Sequence, residues 1–280
     1  MFVCGLASYM IERSKTPADC FVLSALDVGQ GASFLIRNSA GEEIIVDAGP
    51  DNGQAPVGIG RILPWWDRKI DVAILTHPHA DHVGGFIKVF KNYRITKFYD
   101  PGVTYESAYM DELLPIISAK NTKRFYPDFA DSFNLTDINV EFLYPFESRS
   151  GDPALENVNN DSLVMKISLP GDFKILITGD AEHEVENLLV DSGLDLEANI
   201  FLAGHHGSET SSSLELLSLI QPEHVIIQSG LGNKFNHPSQ RTINNISVVG
   251  AKVWRTDLQG QITATWCPNN RSLVWKPIPH

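Results

Sequence analysis

Apolar runs bounded by Gly, Pro, Asn or Asp recur along the whole 280-residue chain, and that rhythm predicts strands rather than a helical bundle. Strands are expected over 21–28, 33–37 and 43–46, with turns at Gly29-Gln30-Gly31 and across 38–41, forming an antiparallel opening meander. A short strand over 71–75 runs into a His-rich loop, after which Val83, Phe86, Ile87 and Phe90 keep helical spacing over 83–93. The second half repeats this rhythm. A hairpin over 162–169 and 173–178 turns at Pro170-Gly171-Asp172, and a helix follows over 182–190. A strand over 199–202 then ends at Gly204-His205-His206-Gly207-Ser208. Later strands are expected over 225–228, 252–255 and 261–265, separated by helices over 213–220 and 239–246. Strand pairs mixed with single helices fit an α+β chain in which helices cover a β-sandwich, and no solenoid repeat is visible.

Composition changes this picture little. A hydrophobic fraction of 43% and a charged fraction of 20% are those of a folded globular chain, so disorder is expected only at the ends. The formal net charge of -12 argues against a protein that coats nucleic acid nonspecifically. It does not exclude a nuclease, because bound divalent cations would cancel negative charge where a phosphodiester must sit. Cys4, Cys20 and Cys267 form no CxxC pair, and a disulfide scaffold is not expected. Residues 1–20 read as an N-terminal arm or the remnant of a membrane-facing segment, ahead of a single domain over 21–280. The apolar stretch from Met1 to Met10 is too short to span a bilayer, and no other segment is expected to do so.

Thr76-His77-Pro78-His79-Ala80-Asp81-His82 carries the chemistry. Imidazole nitrogen suits zinc-like ions and carboxylate oxygen is a charged ligand, so alternating His and Asp in a tight loop can feed two neighbouring metals. Extended backbone places His77 and His79 on one side, while Asp81 and His82 turn towards a second ion as the helix begins. Asp180 follows an apolar strand in Thr178-Gly179-Asp180, and His205 follows another.

The loop resembles the HxHxDH signature of the metallo-β-lactamase superfamily, a four-layer αββα sandwich with its metals at one edge. That resemblance implies His77 and His79 on a first metal, Asp81 and His82 on a second, Asp180 bridging them and His205 completing the second. The superfamily usually supplies one more histidine to the first metal between the loop and the bridging Asp. Residues 83–179 contain none. The first ion is therefore left to Asn160 or water, or is weak or absent. A narrower likeness follows from this departure. Asp27-Val28-Gly29-Gln30-Gly31, Val46-Asp47-Ala48-Gly49, Asn159-Asn160-Asp161-Ser162-Leu163-Val164, Gly204-His205-His206-Gly207-Ser208, Asn236-His237-Pro238 and Arg255-Thr256-Asp257 together resemble the hydrolase domain of ComEC-type competence proteins. In that family the Asn-Asn segment stands where the histidine is missing, and the domain serves a membrane channel for DNA uptake.

The resemblance implies hydrolysis of DNA or another phosphodiester by a metal-bound hydroxide, with two Zn²⁺ or Mn²⁺ ions and with Asp81 or Asp180 orienting the nucleophile. It places a membrane channel among the partners. Asp27 and Asp47 read either as turn formers or as groups that hydrogen-bond the ligating histidines. Gln30-Gly31 reads as a turn that passes too close to the site for a side chain. His237 is suited to binding a phosphate oxygen or protonating a leaving group, and Ser208 to touching substrate. Lys88, Lys91, Arg94 and Lys97 read first as a solvated helix face and only secondarily as a guide for a polyanion. Trp65-Trp66 reads as core or edge packing rather than as a base-stacking pair. Two rivals share the fold: a hydrolase of a lactone, thioester or cyclic nucleotide, and a noncatalytic module lacking its first metal.

Overall fold

The opening meander forms as expected in the computed structural model, which describes residues 18–280, with β1 Phe21–Ala25, β2 Phe34–Arg37 and β3 Glu43–Val46. The expected N-terminal arm and Cys4 lie, apart from residues 18–20, outside the described residues. The chain continues through α1 Gln54–Gly60, β4 Lys69–Ile74, α2 Ala80–Val83, α3 Phe86–Asn92, β5 Arg94–Tyr99, α4 Ala108–Ala119 and β6 Lys123–Phe125. Two further strands, β7 Ser132–Leu135 and β8 Ile138–Tyr144, lead through a 3-10 turn at Val158–Asp161 to the hairpin β9 Val164–Leu169 and β10 Phe173–Ile177. After that come α5 His183–Asp191, β11 Ile200–Leu202, α6 Leu214–Ile220, β12 His224–Ile227, α7 Gln240–Val249, β13 Lys252–Arg255, α8 Thr256–Gln259, β14 Ile262–Cys267 and β15 Ser272–Trp275.

Two mixed sheets result, ordered β15-β14-β1-β2-β3-β4-β5-β6 and β13-β12-β11-β10-β9-β8-β7. Their central strands are buried on both faces, and the period of two sorts the side chains. Phe34, Ile36, Ile44 and Val46 meet Ile175, Ile177, Ile200 and Leu202 between the sheets. Leu35 and Ile45 point the other way, to Ile59, Phe86 and Phe90 of the helices on that side. Leu176 and Phe201 do the same under Val185, Leu216 and Ile246. The layers are therefore helix, sheet, sheet, helix. Among the described residues no helix is long and apolar enough to cross a membrane.

Several expectations change. The helix over 83–93 is split at Gly84-Gly85, where a Cβ on Gly85 would lie 1.9 Å from the Ala48 carbonyl oxygen. Only glycine lets that turn press against the end of β3. The basic stripe is not one face. Lys88 pairs with Asp51 and Lys91 with Glu112, while Arg94 and Lys97 lie on β5. Trp65 and Trp66 are 73% and 47% exposed, so they do not pack in the core.

Cysteine usage also needs correction, because Cys20 and Cys267 are disulfide-bonded across 247 residues of sequence. The pairing follows from the sheet: β1 lies antiparallel to β14 with Phe21 opposite Trp266, so the residues flanking that pair meet. Closing so long a loop restricts the unfolded chain by about 5 kcal/mol in the chain-entropy model. Cys20→Ser is expected to lower the urea midpoint, and adding reductant is expected to shift wild type towards the variant while leaving the variant unchanged.

Candidate metal centre

Five of the loops at one edge of the sandwich begin where strands end. Parallel β3 and β4 bring Asp47 and residues 76–82 side by side. Parallel β10, β11 and β12 do the same for Asp180, residues 204–207 and Gln228 on the facing sheet. Carboxyl ends of parallel strands are where α/β sheets place their ligands.

Asp47 organises the first of these loops. Its backbone is left-handed at φ 57, and its Oδ1 accepts the Thr76 amide at 2.8 Å. Its Oδ2 accepts the Thr76 hydroxyl and the Nδ1–H of His82, each at 2.8 Å. The same hydroxyl lies 3.1 Å from Nδ1 of His77, which donates to it. Both rings are thus held by Nδ1 with Nε2 free. His206 is oriented in the same way, through a 2.9 Å bond from its Nδ1–H to the Gln228 carbonyl. Gln228 in turn donates to the Ser33 carbonyl at 2.7 Å, tying the two sheets together at the site.

The free nitrogens converge. His82 Nε2 lies 3.3 Å from His206 Nε2 and 3.2 Å from Asp180 Oδ1. His206 Nε2 lies 3.3 Å from Asp81 Oδ2 and 3.4 Å from Asp180 Oδ2. His77 Nε2 faces His79 Nδ1 at 3.1 Å and Asp180 Oδ2 at 3.9 Å. Two sets, His77-His82-Asp180 and Asp81-His82-His206, are close enough to hold a metal ion. Two imidazoles whose Nδ1 protons are committed elsewhere cannot satisfy each other's Nε2 lone pairs without a proton or cation between them, so the donor set fits a divalent ion.

Electrostatics point the same way. Burial opposes charge on His82, yet Asp180 and Asp47 outweigh it and hold the ring's pKa well above the usual histidine range. Burial likewise opposes charge on Asp180, and His82 and His206 override it, keeping the carboxyl well below its usual range. His77 is held well below the normal histidine value, first by burial and then by His82.

It is His206, rather than the expected His205, that the structure brings into the cluster. Both residues sit in left-handed backbone, at φ 49 and φ 56, and this sharp turn sends the two rings apart. His206 enters the cluster, whereas His205 stands at its mouth with Nδ1 3.2 Å from Glu182 Oε1 and Nε2 3.9 Å from Asp180 Oδ2. Asp27 does not touch the histidines and pairs instead with His280 at 2.8 Å. Asn160 faces the start of α5, where its Oδ1 accepts the Glu182 amide and its Nδ2 reaches Glu184. The Ser208 hydroxyl is shared with Thr210 inside its own loop. His237 stands beside His205, its ring 5.6 Å away and stacked on Phe235. Burial, reinforced by His205 and His206, lowers its pKa, so the ring is neutral at pH 7. Gly31 behaves as read: at φ 147, a Cβ there would lie 2.4 Å from the Asp81 carbonyl oxygen. Nothing in the sequence marks Thr76, Gln228, Glu182 or Asn159 as ligands or their supports, because none has a metal-binding spacing and each acts through contacts made across the fold.

With this geometry in place, residues 26–230 match the family model described as the metallo-beta-lactamase superfamily. The chain is 28% identical over 263 residues to "Competence protein ComA" of Neisseria gonorrhoeae, covering 94% of this chain and 34% of that one. It is 26% identical over 254 residues to "ComE operon protein 3" of Bacillus subtilis, covering 85% and 32%. The chain thus spans about a third of the length of these relatives. Its backbone is similar to that of the metallo-beta-lactamase fold protein YhfI of Bacillus subtilis, with a TM-score of 0.56 at 12% identity over 84% of this chain and 96% of that one.

Because one carboxylate orients both Thr76 and His82, Asp47→Asn is expected to weaken metal binding by roughly 10- to 100-fold, the usual cost of losing such a support. Titration with Zn²⁺ and Mn²⁺, alongside circular dichroism to check folding, measures it.

Proposed function

The chain belongs to the metallo-beta-lactamase superfamily, and from that membership and the donor geometry we propose that it is a two-metal hydrolase of phosphodiesters whose substrate is DNA. The observation that carries the reading is the pair of Nε2 atoms of His82 and His206, 3.3 Å apart with both Nδ1 protons committed elsewhere. His77 and His79 would hold one ion and Asp81, His82 and His206 the other, with Asp180 between them. Bound divalent ions supply Lewis acidity and a nucleophile at neutral pH. The name of one relative as a competence protein supports DNA as substrate, and the resemblance to ComEC-type proteins is the ground for proposing a membrane channel as partner.

The chain's own residues divide the remaining work. Asp81 has a side chain 34% exposed at the mouth of the site and bonded to His206, so it can orient a water for attack. Asp180 is almost wholly buried and keeps its charge under the field of His82 and His206, which suits a carboxylate shared between ions. A neutral His237 is a poor acid but a sound hydrogen-bond donor. Of its two expected roles, binding a phosphate oxygen is therefore the one we assign. The net charge of -12 is no obstacle, because the cations cancel negative charge at the point of contact.

Hydrolysis of single- and double-stranded DNA with added Mn²⁺ or Zn²⁺ tests the proposal, with bis-p-nitrophenyl phosphate and a lactone panel in parallel. Cleavage of lactones alone would replace the substrate class, and metal binding without turnover of any probe would favour the noncatalytic rival. Asp180→Ala is expected to lower DNA cleavage by more than about a hundredfold together with metal content. His237→Ala is expected to raise KM about tenfold while kcat stays within a few-fold, because it removes binding shared by the ground and transition states.

A further inference from the structure

Asn159 is 8% exposed, and the two ends of its amide are treated differently. Nδ2 donates to Glu182 Oε1 at 2.7 Å, whereas Oδ1 is buried with no hydrogen-bond partner among the described residues. The carboxylate fixes which end is which, since it can only accept. The side chain lies against the ring of His79. The turn carrying Asn159 is stitched to both halves of the centre. Leu163 donates its amide to the Thr76 carbonyl at 2.9 Å, and Ser162 Oγ accepts the amide of Asp180 at 3.0 Å. A buried acceptor left unpaired costs free energy, so its retention here calls for a ligand.

We infer that the Asn159 amide oxygen is the donor that completes the first metal position beside His77 and His79, taking the place of the histidine that residues 83–179 lack. This rests on the two-metal reading above. Glu182 is then a positioning residue. It holds the amide by Nδ2, which leaves Oδ1 for the ion, and it reaches His205 with the same oxygen at 3.2 Å. Asn160 cannot share the role, because both ends of its amide are engaged at the start of α5. Replacing an imidazole nitrogen with a neutral amide oxygen makes the first position harder than the second. Carbonyl and carboxylate oxygen suit Mn²⁺ and Mg²⁺, while imidazole suits Zn²⁺. The two positions therefore differ in preference, the first leaning to Mn²⁺ and the second to Zn²⁺.

The test is calorimetric titration of the full chain with Mn²⁺ and with Zn²⁺, backed by elemental analysis of bound metal, for wild type, Asn159→Ala, Asn159→Asp, Asn159→His and Asn160→Ala. Circular dichroism of each metal-free variant reports folding. Wild type is expected to take up two equivalents. Asn159→Ala is expected to bind one of them at least about tenfold more weakly, while Asn160→Ala keeps both. Asn159→His is expected to restore two equivalents with the first position turned towards Zn²⁺. Should the alanine variant fail to fold, Asn159→Asp carries the test by retaining both equivalents, since it keeps an oxygen at the same place. Unchanged affinities in Asn159→Ala, loss of an equivalent in Asn160→Ala instead, or an unaltered Mn²⁺ to Zn²⁺ preference in Asn159→His would overturn the assignment. Failure of wild type to bind any metal would overturn the two-metal reading itself, and the two failures are thereby distinguished.

Discussion

A buried carboxylate at the end of β3 has to be satisfied, and Asp47 meets that demand by accepting three hydrogen bonds: the backbone and hydroxyl of Thr76, and His82. Each bond ties the end of one strand to the loop leaving its parallel neighbour. That loop is short and ligand-rich, so fixing Thr76 and His82 also limits where His77, His79 and Asp81 can go. The left-handed backbone at Asp47 is the cost of this arrangement, tolerated because the surrounding sheet and the Gly84-Gly85 turn leave no other path. Without that carboxylate the strand ends would still meet, but the rings would have no defined tautomer.

The sandwich sets a second condition. Each sheet buries apolar residues on both faces, and the charged groups of the centre gather at the edge where loops replace side-chain layers. The facing sheet contributes Asp180 and His206, and Gln228 bonds across to Ser33. Charges of opposite sign, packed this closely and shielded from water, hold each other ionised against the burial penalty. The result is a centre assembled from both sheets. Neither half of the chain carries a complete donor set, although each has the same rhythm of strands, turn and helix.

Much of this was legible in the sequence because strand period and ligand chemistry are local properties. Val72 and Ile74 announce a strand, and the six residues after Thr76 announce metal ligands, without knowledge of the rest. What stayed hidden depends on direction. The order of residues cannot tell His205 from His206, because their choice turns on two successive left-handed backbone conformations. Asn159 and Asn160 are equally ambiguous until α5 claims one amide and leaves the other with an unpaired oxygen. Asp27 reads equally as a turn former and as a support for the histidines, and the fold has it accept the Gly29 amide of its own turn and pair with His280. The stretch from β5 to β8 is hard to read in the sequence for another reason. Its strands are short or broken by charged residues, and α4 carries an internal Pro115.

The bond between Cys20 and Cys267 has a mechanical meaning. Tension on the chain ahead of β1, applied sideways, would peel that strand from β2 and β14 beginning at Phe21, the residue beside the bridge. A covalent link at that point passes the load into β14 instead, so the sheet must shear rather than unzip. Since β1 runs on to the Gly31 turn that presses against Asp81, a peeling strand would drag on the metal loop. The bridge takes up the strain a full strand length before it gets there.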